Sequence, residues 1–166
     1  MTPSSLARLG DRICTKADST MERAQPVICY INQSNLTCES VAIRNESMIP
    51  SPNSKLRVGV IGAGTFAETG HLPGLQSHPQ AKVVAICGRR YDHARSLADR
   101  FNIPDVHTDY HELCARSDLD AVTIVTSSVE HAKQAITALE SGKHVFCEKP
   151  MAMTVTEAHE MVRAAE

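Results

Sequence analysis

From residue 55 onward, short apolar segments alternate with longer segments that have the apolar spacing of a helix. The apolar segments have the length and β-branched composition of strands, and they are Leu56–Ile61, Lys82–Cys87, Val106–Thr108, Ala121–Val125 and His144–Cys147. The predicted helices between and after them span about residues 65–77, 92–101, 110–116, 130–141 and 154–165. Strands separated by helices are joined by right-handed crossovers and lie parallel in one sheet. The sequence therefore predicts an α/β fold with a doubly wound parallel sheet of about five strands, which binds ligands at the carboxyl ends of its strands.

The first third of the chain has a different character. Residues 1–54 contain one of the eight glycines and none of the eight histidines, and they lack a periodic apolar pattern. Only Val27–Ile31 has the composition of a strand, and the Pro- and Ser-rich residues 49–54 are typical of a linker. We therefore expect a largely disordered extension and linker over 1–54 and one folded domain over 55–166. Met48 stands close to the start of that domain and is a second candidate initiator.

Composition limits the classes of partner. Lys and Arg total 17 against 19 Asp and Glu, so the net charge of −2 favours neither nucleic acid nor a membrane surface as a partner. No apolar run approaches the roughly 20 residues of a membrane span. The six cysteines include no CxxC pair and no metal-type spacing, so we predict no metal site, free thiols and a reducing, cytoplasmic location.

A glycine-rich turn follows the first predicted strand and opens the first predicted helix. Gly62-Ala-Gly64-Thr-Phe-Ala67 has the spacing G-x-G-x-x-A, in the strand–turn–helix context of a dinucleotide-binding turn. Gly62 permits the tight turn, Gly64 lets the backbone approach a pyrophosphate, and Ala67 allows close packing of helix on strand. The N–H groups of Thr65 and Phe66 then face the phosphates. The alternative is a glycine turn that binds no ligand.

The end of the second predicted strand bears on the choice of dinucleotide. An acidic residue there accepts hydrogen bonds from the ribose hydroxyls of NAD, whereas an arginine accommodates the 2′-phosphate of NADP. Gly88 stands at the acidic position and is followed by Arg89 and Arg90. Guanidinium groups match phosphate geometry, so we expect NADP in preference to NAD. The alternative is that both arginines are solvated side chains at a helix start.

Four motifs together resemble one enzyme family, and they cover nearly all of residues 55–166. They are Gly59-Val-Ile-Gly-Ala-Gly64, His71-Leu-Pro-Gly-Leu75, Asp120-Ala-Val-Thr-Ile-Val-Thr126 with His131, and Glu148-Lys149-Pro150. The E-K-P triplet, which closes the fifth predicted strand after a G-K-H-V-F-C run, is the most specific of them. The segment resembles the N-terminal, NAD(P)-binding Rossmann domain of the Gfo/Idh/MocA oxidoreductases.

The resemblance implies hydride transfer between a nicotinamide and a hydroxyl carbon of a sugar, inositol or related small molecule. It places Lys149 beside the nicotinamide and substrate in a catalytic or orienting role, and Glu148 near the nicotinamide ribose. It also implies cofactor contacts from Thr126, Ser127 and His131, although Ser127 stands where the family commonly has a proline. An ammonium group at Lys149 would polarise the reacting oxygen or help to move its proton.

The family's second α/β domain, which carries substrate and oligomer contacts, has no counterpart in this chain. We therefore expect that a small-molecule substrate binds through that second domain and that this chain alone catalyses little or no reaction. The sequence does not determine the oligomeric state. The family's sixth strand is also missing, which predicts an exposed apolar edge on His144–Cys147. Two alternatives to an enzyme domain remain, a dinucleotide-binding sensor or regulatory module without catalysis, and an inactive fragment.

Overall fold

The computed structural model describes residues 54–166 in full and, before them, the backbone of residues 28–32 and 37–41. Its strands are β1 Ile28–Asn32, β2 Thr37–Val41, β3 Leu56–Ile61, β4 Ala81–Cys87, β5 Asp105–His107, β6 Ala121–Ile124 and β7 His144–Cys147. Its α-helices are α1 Leu72–Ser77, α2 Tyr91–Arg100, α3 Tyr110–Cys114, α4 Ser128–Glu140 and α5 Val155–Ala165. No helix among these is long and apolar enough to cross a membrane.

The strands form one sheet in the order β2-β1-β7-β6-β3-β4-β5. The five strands from β3 to β7 pair in parallel, which confirms the predicted doubly wound architecture. β3 lies between β4 and β6, so the strand order reverses beside it. In such sheets a crevice opens at that reversal, outside the carboxyl ends of the strands, and it is the usual ligand site.

The core lies on both faces of the parallel strands. Val60, Ile86, Val122 and Ile124 on the central strands have no exposed surface. Burying each such side chain contributes about 1.5–3 kcal/mol relative to leaving it in water. Apolar residues on both faces of these strands are the reason that they appear in the sequence as continuous hydrophobic runs rather than as alternating ones.

The first helix of the domain includes an irregular segment. A helix covers residues 65–77 as the sequence predicts, but Ala67–His71 within it is a π-helical turn that leads directly into α1. The wider turn carries one residue more than an α-helical turn, so it changes the direction of the side chains that leave it. His71 is the last residue of this turn.

The N-terminal part of the chain contributes a hairpin to the sheet. β1 pairs in parallel with β7, with Ile28 opposite Val145, and β2 pairs antiparallel with β1. The strand predicted at Val27–Ile31 is therefore present at Ile28–Asn32. The prediction of an exposed edge at His144–Cys147 is wrong, because β1 pairs with β7 there. The backbone groups of this edge, which a sixth strand would otherwise cover, are thus paired with β1. The remainder of the predicted disordered extension lies outside the described residues.

Candidate functional site

A cavity of about 980 Å³ opens at the carboxyl edge of the sheet, where the strand order reverses. The glycine turn after β3, the end of β4 and the loop after β6 supply most of its walls. The sequence-predicted residues in these walls are Gly62, Gly64, Thr65, Phe66, Gly88, Arg89, Arg90, Thr126 and Ser127. Residues from three separate loops therefore meet in one groove.

The glycine turn is held rigidly on one side and open on the other. Gly62 has a φ of +119°, and a Cβ there would lie 2.3 Å from the carbonyl oxygen of Val125. The Gly62 N–H donates to the carbonyl of Cys87 at 2.8 Å, which fixes the turn against β4. A Cβ on Gly64, in contrast, would meet no atom within 4 Å. The backbone at Gly64 thus presents an open face to the cavity, as a cradle for a phosphate group requires.

The helix that follows the turn starts at the cavity. Thr65 and Phe66 line it, and Ala67 is completely buried where the helix packs on the sheet. The first N–H groups of a helix have no acceptor within the helix and carry the positive end of its dipole. This end of the helix therefore suits an anion.

The wall formed by the end of β4 carries positive charge. A Cβ on Gly88 would lie 2.9 Å from the Cβ of Ala63, so this position requires glycine for close packing as well as lining the cavity. Arg89 and Arg90 are both exposed, and neither forms an ion pair with another residue in the described part of the chain. Two guanidinium groups are thus free to bind a phosphate at this wall.

A smaller cavity of about 190 Å³ adjoins the first and shares Phe66, Val125 and Thr126 with it. Its other sequence-predicted residues are His131, Glu148 and Lys149. Every predicted cofactor residue therefore lines one of the two adjoining cavities. Lys149 is exposed and precedes Pro150 in a cis peptide bond.

His131 is a buried connection between two loops. Its side chain is 1% exposed, with Nδ1 2.8 Å from the carbonyl oxygen of Pro150 and Nε2 3.2 Å from that of Thr126. Both neighbours are acceptors, so only the doubly protonated ring donates to both at once. His131 thus joins the loop after β6 to the loop that carries Lys149.

Glu148 connects the same loop to the first helix. Its Oε1 lies 2.8 Å from Nε2 of His71, and its Oε2 accepts the Lys149 backbone N–H at 3.0 Å. The side chains of His71 and Glu148 are only 10% and 14% exposed. The motif His71-Leu-Pro-Gly-Leu75 contributes to the family resemblance, but the contact of His71 with Glu148 could not be read from it.

Other residues of the site were missed by sequence reasoning. Gln134 on α4 is 5% exposed, lines the larger cavity and accepts a 2.6 Å hydrogen bond from Thr126 Oγ1. His93 on α2 also lines it, and its Nε2 lies 2.8 Å from the carbonyl oxygen of Ala63 in the glycine turn. Neither residue belongs to a motif. A polar residue on the inner face of a predicted helix was the signal available for Gln134.

The thiols in and behind the site are inert. Cys87, Cys114 and Cys147 are free and buried. Burial raises the pKa of Cys87 and of Cys147 to about 12 and that of Cys114 to about 11. They remain protonated near neutral pH and act as small apolar groups rather than as nucleophiles.

Residues 56–166 match the family model described as an oxidoreductase family with an NAD-binding Rossmann fold, Gfo/Idh/MocA. A dTDP-3,4-didehydro-2,6-dideoxy-α-D-glucose 3-reductase from Actinomadura kijaniata is 37% identical over 116 residues, which are 70% of this chain and 35% of the reductase. D-glucoside 3-dehydrogenase of Escherichia coli is 34% identical over 68% of this chain and 32% of its own length. The chain thus spans about a third of the length of these relatives.

Solved structures agree with this comparison. A 3-ketoreductase from Actinomadura kijaniata in complex with NADP superposes with a TM-score of 0.64 at 38% identity, over 68% of this chain and 36% of the reductase. The myo-inositol 2-dehydrogenase of Lactobacillus plantarum gives a TM-score of 0.63 at 28% identity, over 67% of this chain and 33% of the dehydrogenase. The chain belongs to the Gfo/Idh/MocA oxidoreductase family, and residues 56–166 form its NAD(P)-binding Rossmann domain.

Proposed function

We propose that residues 56–166 serve hydride transfer between a nicotinamide and a hydroxyl carbon of a sugar, inositol or related substrate. The observation that carries the proposal is the pair of adjoining cavities, which run from the glycine turn to Lys149. In this arrangement the open backbone at Gly64 and the first helical N–H groups hold the pyrophosphate. The nicotinamide end then lies at the smaller cavity, beside Glu148 and Lys149.

The bound dinucleotide supplies or accepts the hydride. Among the residues that line the smaller cavity, Lys149 carries the ammonium group. Its side chain forms no hydrogen bond or ion pair with the described part of the chain. Its ammonium group can hold the reacting oxygen and donate or share a proton as charge develops there. Glu148, engaged by His71, accepts the backbone N–H of Lys149 and so orients it. In the proposed arrangement the Glu148 carboxylate would lie beside the ribose.

We propose NADP as the preferred dinucleotide. Arg89 and Arg90 provide two exposed guanidinium groups at the wall where the ribose phosphate would lie, and the adjacent position is Gly88 rather than an acid. The 3-ketoreductase to which this chain is similar was solved with NADP, which supports the same choice. NAD remains the alternative, with both arginines solvated.

We further propose that the chain has little or no turnover by itself. It spans about a third of the relatives' length, and catalysis requires a substrate held in place beside the nicotinamide. The substrate would then be positioned by protein outside this segment. A sensor or regulatory module that binds the dinucleotide without turnover is the alternative, and the retained Lys149 of the E-K-P triplet supports the enzyme. Buried free thiols are consistent with a reducing cytoplasm as the location.

The test is a titration of the purified chain with NADPH and NADH, followed by melting temperature and nicotinamide fluorescence. A dinucleotide at about 100 times its Kd should add about 2.7 kcal/mol of stability. Arg89→Ala should weaken NADPH binding about ten- to a hundredfold and leave NADH binding almost unchanged, because a charge-assisted hydrogen bond is worth about 1.5–3 kcal/mol. Arg163→Ala is the matched control, since Arg163 is an exposed arginine on α5. A cooperative melt that neither dinucleotide shifts would overturn the proposal.

A further inference from the structure

We propose that His71 is a positioning residue that keeps the carboxylate of Glu148 away from the ammonium group of Lys149. The inference rests on the proposed function, because Lys149 is the group that it leaves available to the reacting oxygen. Glu148 and Lys149 are neighbours in the chain and carry opposite charges, which attract each other when their side chains approach.

The contacts of Glu148 show which partner holds it. Oε1 lies 2.8 Å from Nε2 of His71, and Oε2 accepts the backbone N–H of Lys149, not its side chain. Both carboxylate oxygens are therefore engaged, and the side chain of Lys149 forms no hydrogen bond or ion pair with the described residues. Because the His71 and Glu148 side chains are 10% and 14% exposed, water competes weakly for their contact.

The ring of His71 is fixed by its surroundings. It makes an edge-on contact with Phe66, at a centroid distance of 5.4 Å, and a tilted contact with Phe146, at 5.6 Å. His71 also ends the π-helical turn Ala67–His71, a kind of irregularity that is frequent at functional sites. Aromatic packing and backbone geometry together point Nε2 at Glu148, on a loop 77 positions further along the chain.

His71 does not line either cavity, but its contact with Glu148 gives it a role at Lys149. Without a donor at position 71, the Glu148 carboxylate loses the partner of Oε1 and is free to rotate toward the ammonium group beside it. Lys149 would then be paired and less available as a free amine or as a hydrogen-bond donor. His71 thus acts on Lys149 through Glu148, without contact with substrate or dinucleotide.

The experiment measures the amine reactivity of Lys149 in the full chain, without dinucleotide, by brief acetylation with acetic anhydride and mass spectrometry. Lys82, which is exposed on β4, serves as the internal reference. His71→Leu should lower the acetylation of Lys149 relative to Lys82 about two- to fivefold, the range that an exposed ion pair produces. His71→Gln, which retains an N–H donor, should restore it. His159→Leu is the control for loss of an exposed histidine on α5.

A second variant tests the route through Glu148. In a Glu148→Gln background, His71→Leu should have no further effect on Lys149, because no carboxylate remains to pair with it. An unchanged ratio in His71→Leu, an equal loss at Lys82, or an effect that persists with Glu148→Gln would each overturn the proposal.

If His71→Leu does not fold, the acetylation of Lys149 in the single variant Glu148→Gln tests the proposal instead. An unchanged Lys149 reactivity supports the proposal, and an increase of twofold or more shows that the carboxylate already pairs with Lys149 and overturns it. The readout needs no dinucleotide, so failure of NADPH to bind would count against the proposed function and leave this result standing.

Discussion

Nδ1 of His131 lies 2.8 Å from the carbonyl oxygen of Pro150, although the two residues belong to different loops. The same ring reaches the carbonyl of Thr126, so one buried side chain fixes the loop after β6 and the loop after β7 relative to each other. The smaller cavity lies between these loops. Its shape therefore depends on a histidine that is 1% exposed.

Replacing His131 with Leu should destabilise the domain. The change fills the space with an apolar group and removes the ring nitrogens that contact the carbonyls of Pro150 and Thr126. In either protonation state the ring donates to at least one of these carbonyls, and a lost hydrogen bond that leaves its acceptor unpaired costs about 1–3 kcal/mol, so we expect a loss of about 1–3 kcal/mol in the free energy of unfolding. Urea unfolding followed by circular dichroism measures it. A His131→Leu midpoint equal to that of His111→Leu, which removes an exposed histidine, would contradict the role of the two contacts.

Two glycines of the same turn should respond differently to alanine. Gly62→Ala puts a Cβ at a φ of +119° and 2.3 Å from the carbonyl oxygen of Val125, so the turn must move and the melting temperature should fall by several degrees. Gly64→Ala meets no atom within 4 Å, so the fold should retain its stability. The new methyl group would, however, occupy the open face where the pyrophosphate is proposed to lie, and NADPH affinity should fall about tenfold or more.

Each variant thus serves as the control for the other, with melting temperature and NADPH fluorescence titration as the two measurements. Retained NADPH affinity in a stable Gly64→Ala variant would show that the phosphate lies elsewhere. Retained stability in Gly62→Ala would show that the turn is not held against Val125 as described.

The fold of the parallel sheet could be predicted because its signals are local. β3 and β6 are apolar on both faces, Gly62 and Gly64 follow β3 directly, and the helices carry apolar residues at helical spacing. The predicted strand and helix positions agree with the structure within about two residues at most ends, the usual disagreement between assignments of an element's end.

The contacts that were missed join residues far apart in the chain. His71 and Glu148 are 77 positions apart, and nothing in the residues around His71 specifies which carboxylate it meets. The pairing of β1 with β7 was missed for the same reason, because Ile28 and Val145 are brought together only by the finished sheet. The π-helical turn at Ala67–His71 was missed because it does not disturb the apolar spacing that indicates a helix.

The hairpin of β1 and β2 should protect the edge of β7. Deletion of residues 1–47 removes both strands and exposes a row of backbone donors and acceptors on an apolar strand. Such an edge promotes pairing between chains, so the shortened protein should melt at a lower temperature and self-associate in sedimentation velocity experiments. Deletion of residues 1–24 keeps the hairpin and is the control. Equal melting temperatures and a monomeric state for both deletions would show that β1 does not cover the edge in solution.

An ion-pair network on the opposite side of the molecule should make stability depend on acid pH. Hydrogen bonds from Arg116 and then from Arg57 hold the pKa of the Asp118 carboxyl well below its usual range. A carboxyl with a lowered folded-state pKa stabilises the protein fully above its unfolded-state pKa of about 4, and this contribution is lost as the pH falls toward the lowered value. Because the Asp118 side chain is 41% exposed, solvent screening limits the contribution to about 1 kcal/mol at pH 7.

Asp118→Asn should therefore reduce the free energy of unfolding by about 1 kcal/mol at pH 7 and by less at pH 2.5, where part of the contribution is already lost. Urea unfolding at the two pH values, each with and without 0.5 M NaCl, measures the difference. The measurement with NaCl adds a second check. If the loss in free energy of unfolding is electrostatic, salt should screen the charges and make the loss at pH 7 smaller. Glu140→Gln, at an exposed carboxylate on α4 that forms no ion pair with the described residues, is the control. A loss for Asp118→Asn that is equal at both pH values, or equal to that of the control, would show that the two arginines do not stabilise the fold through this carboxylate.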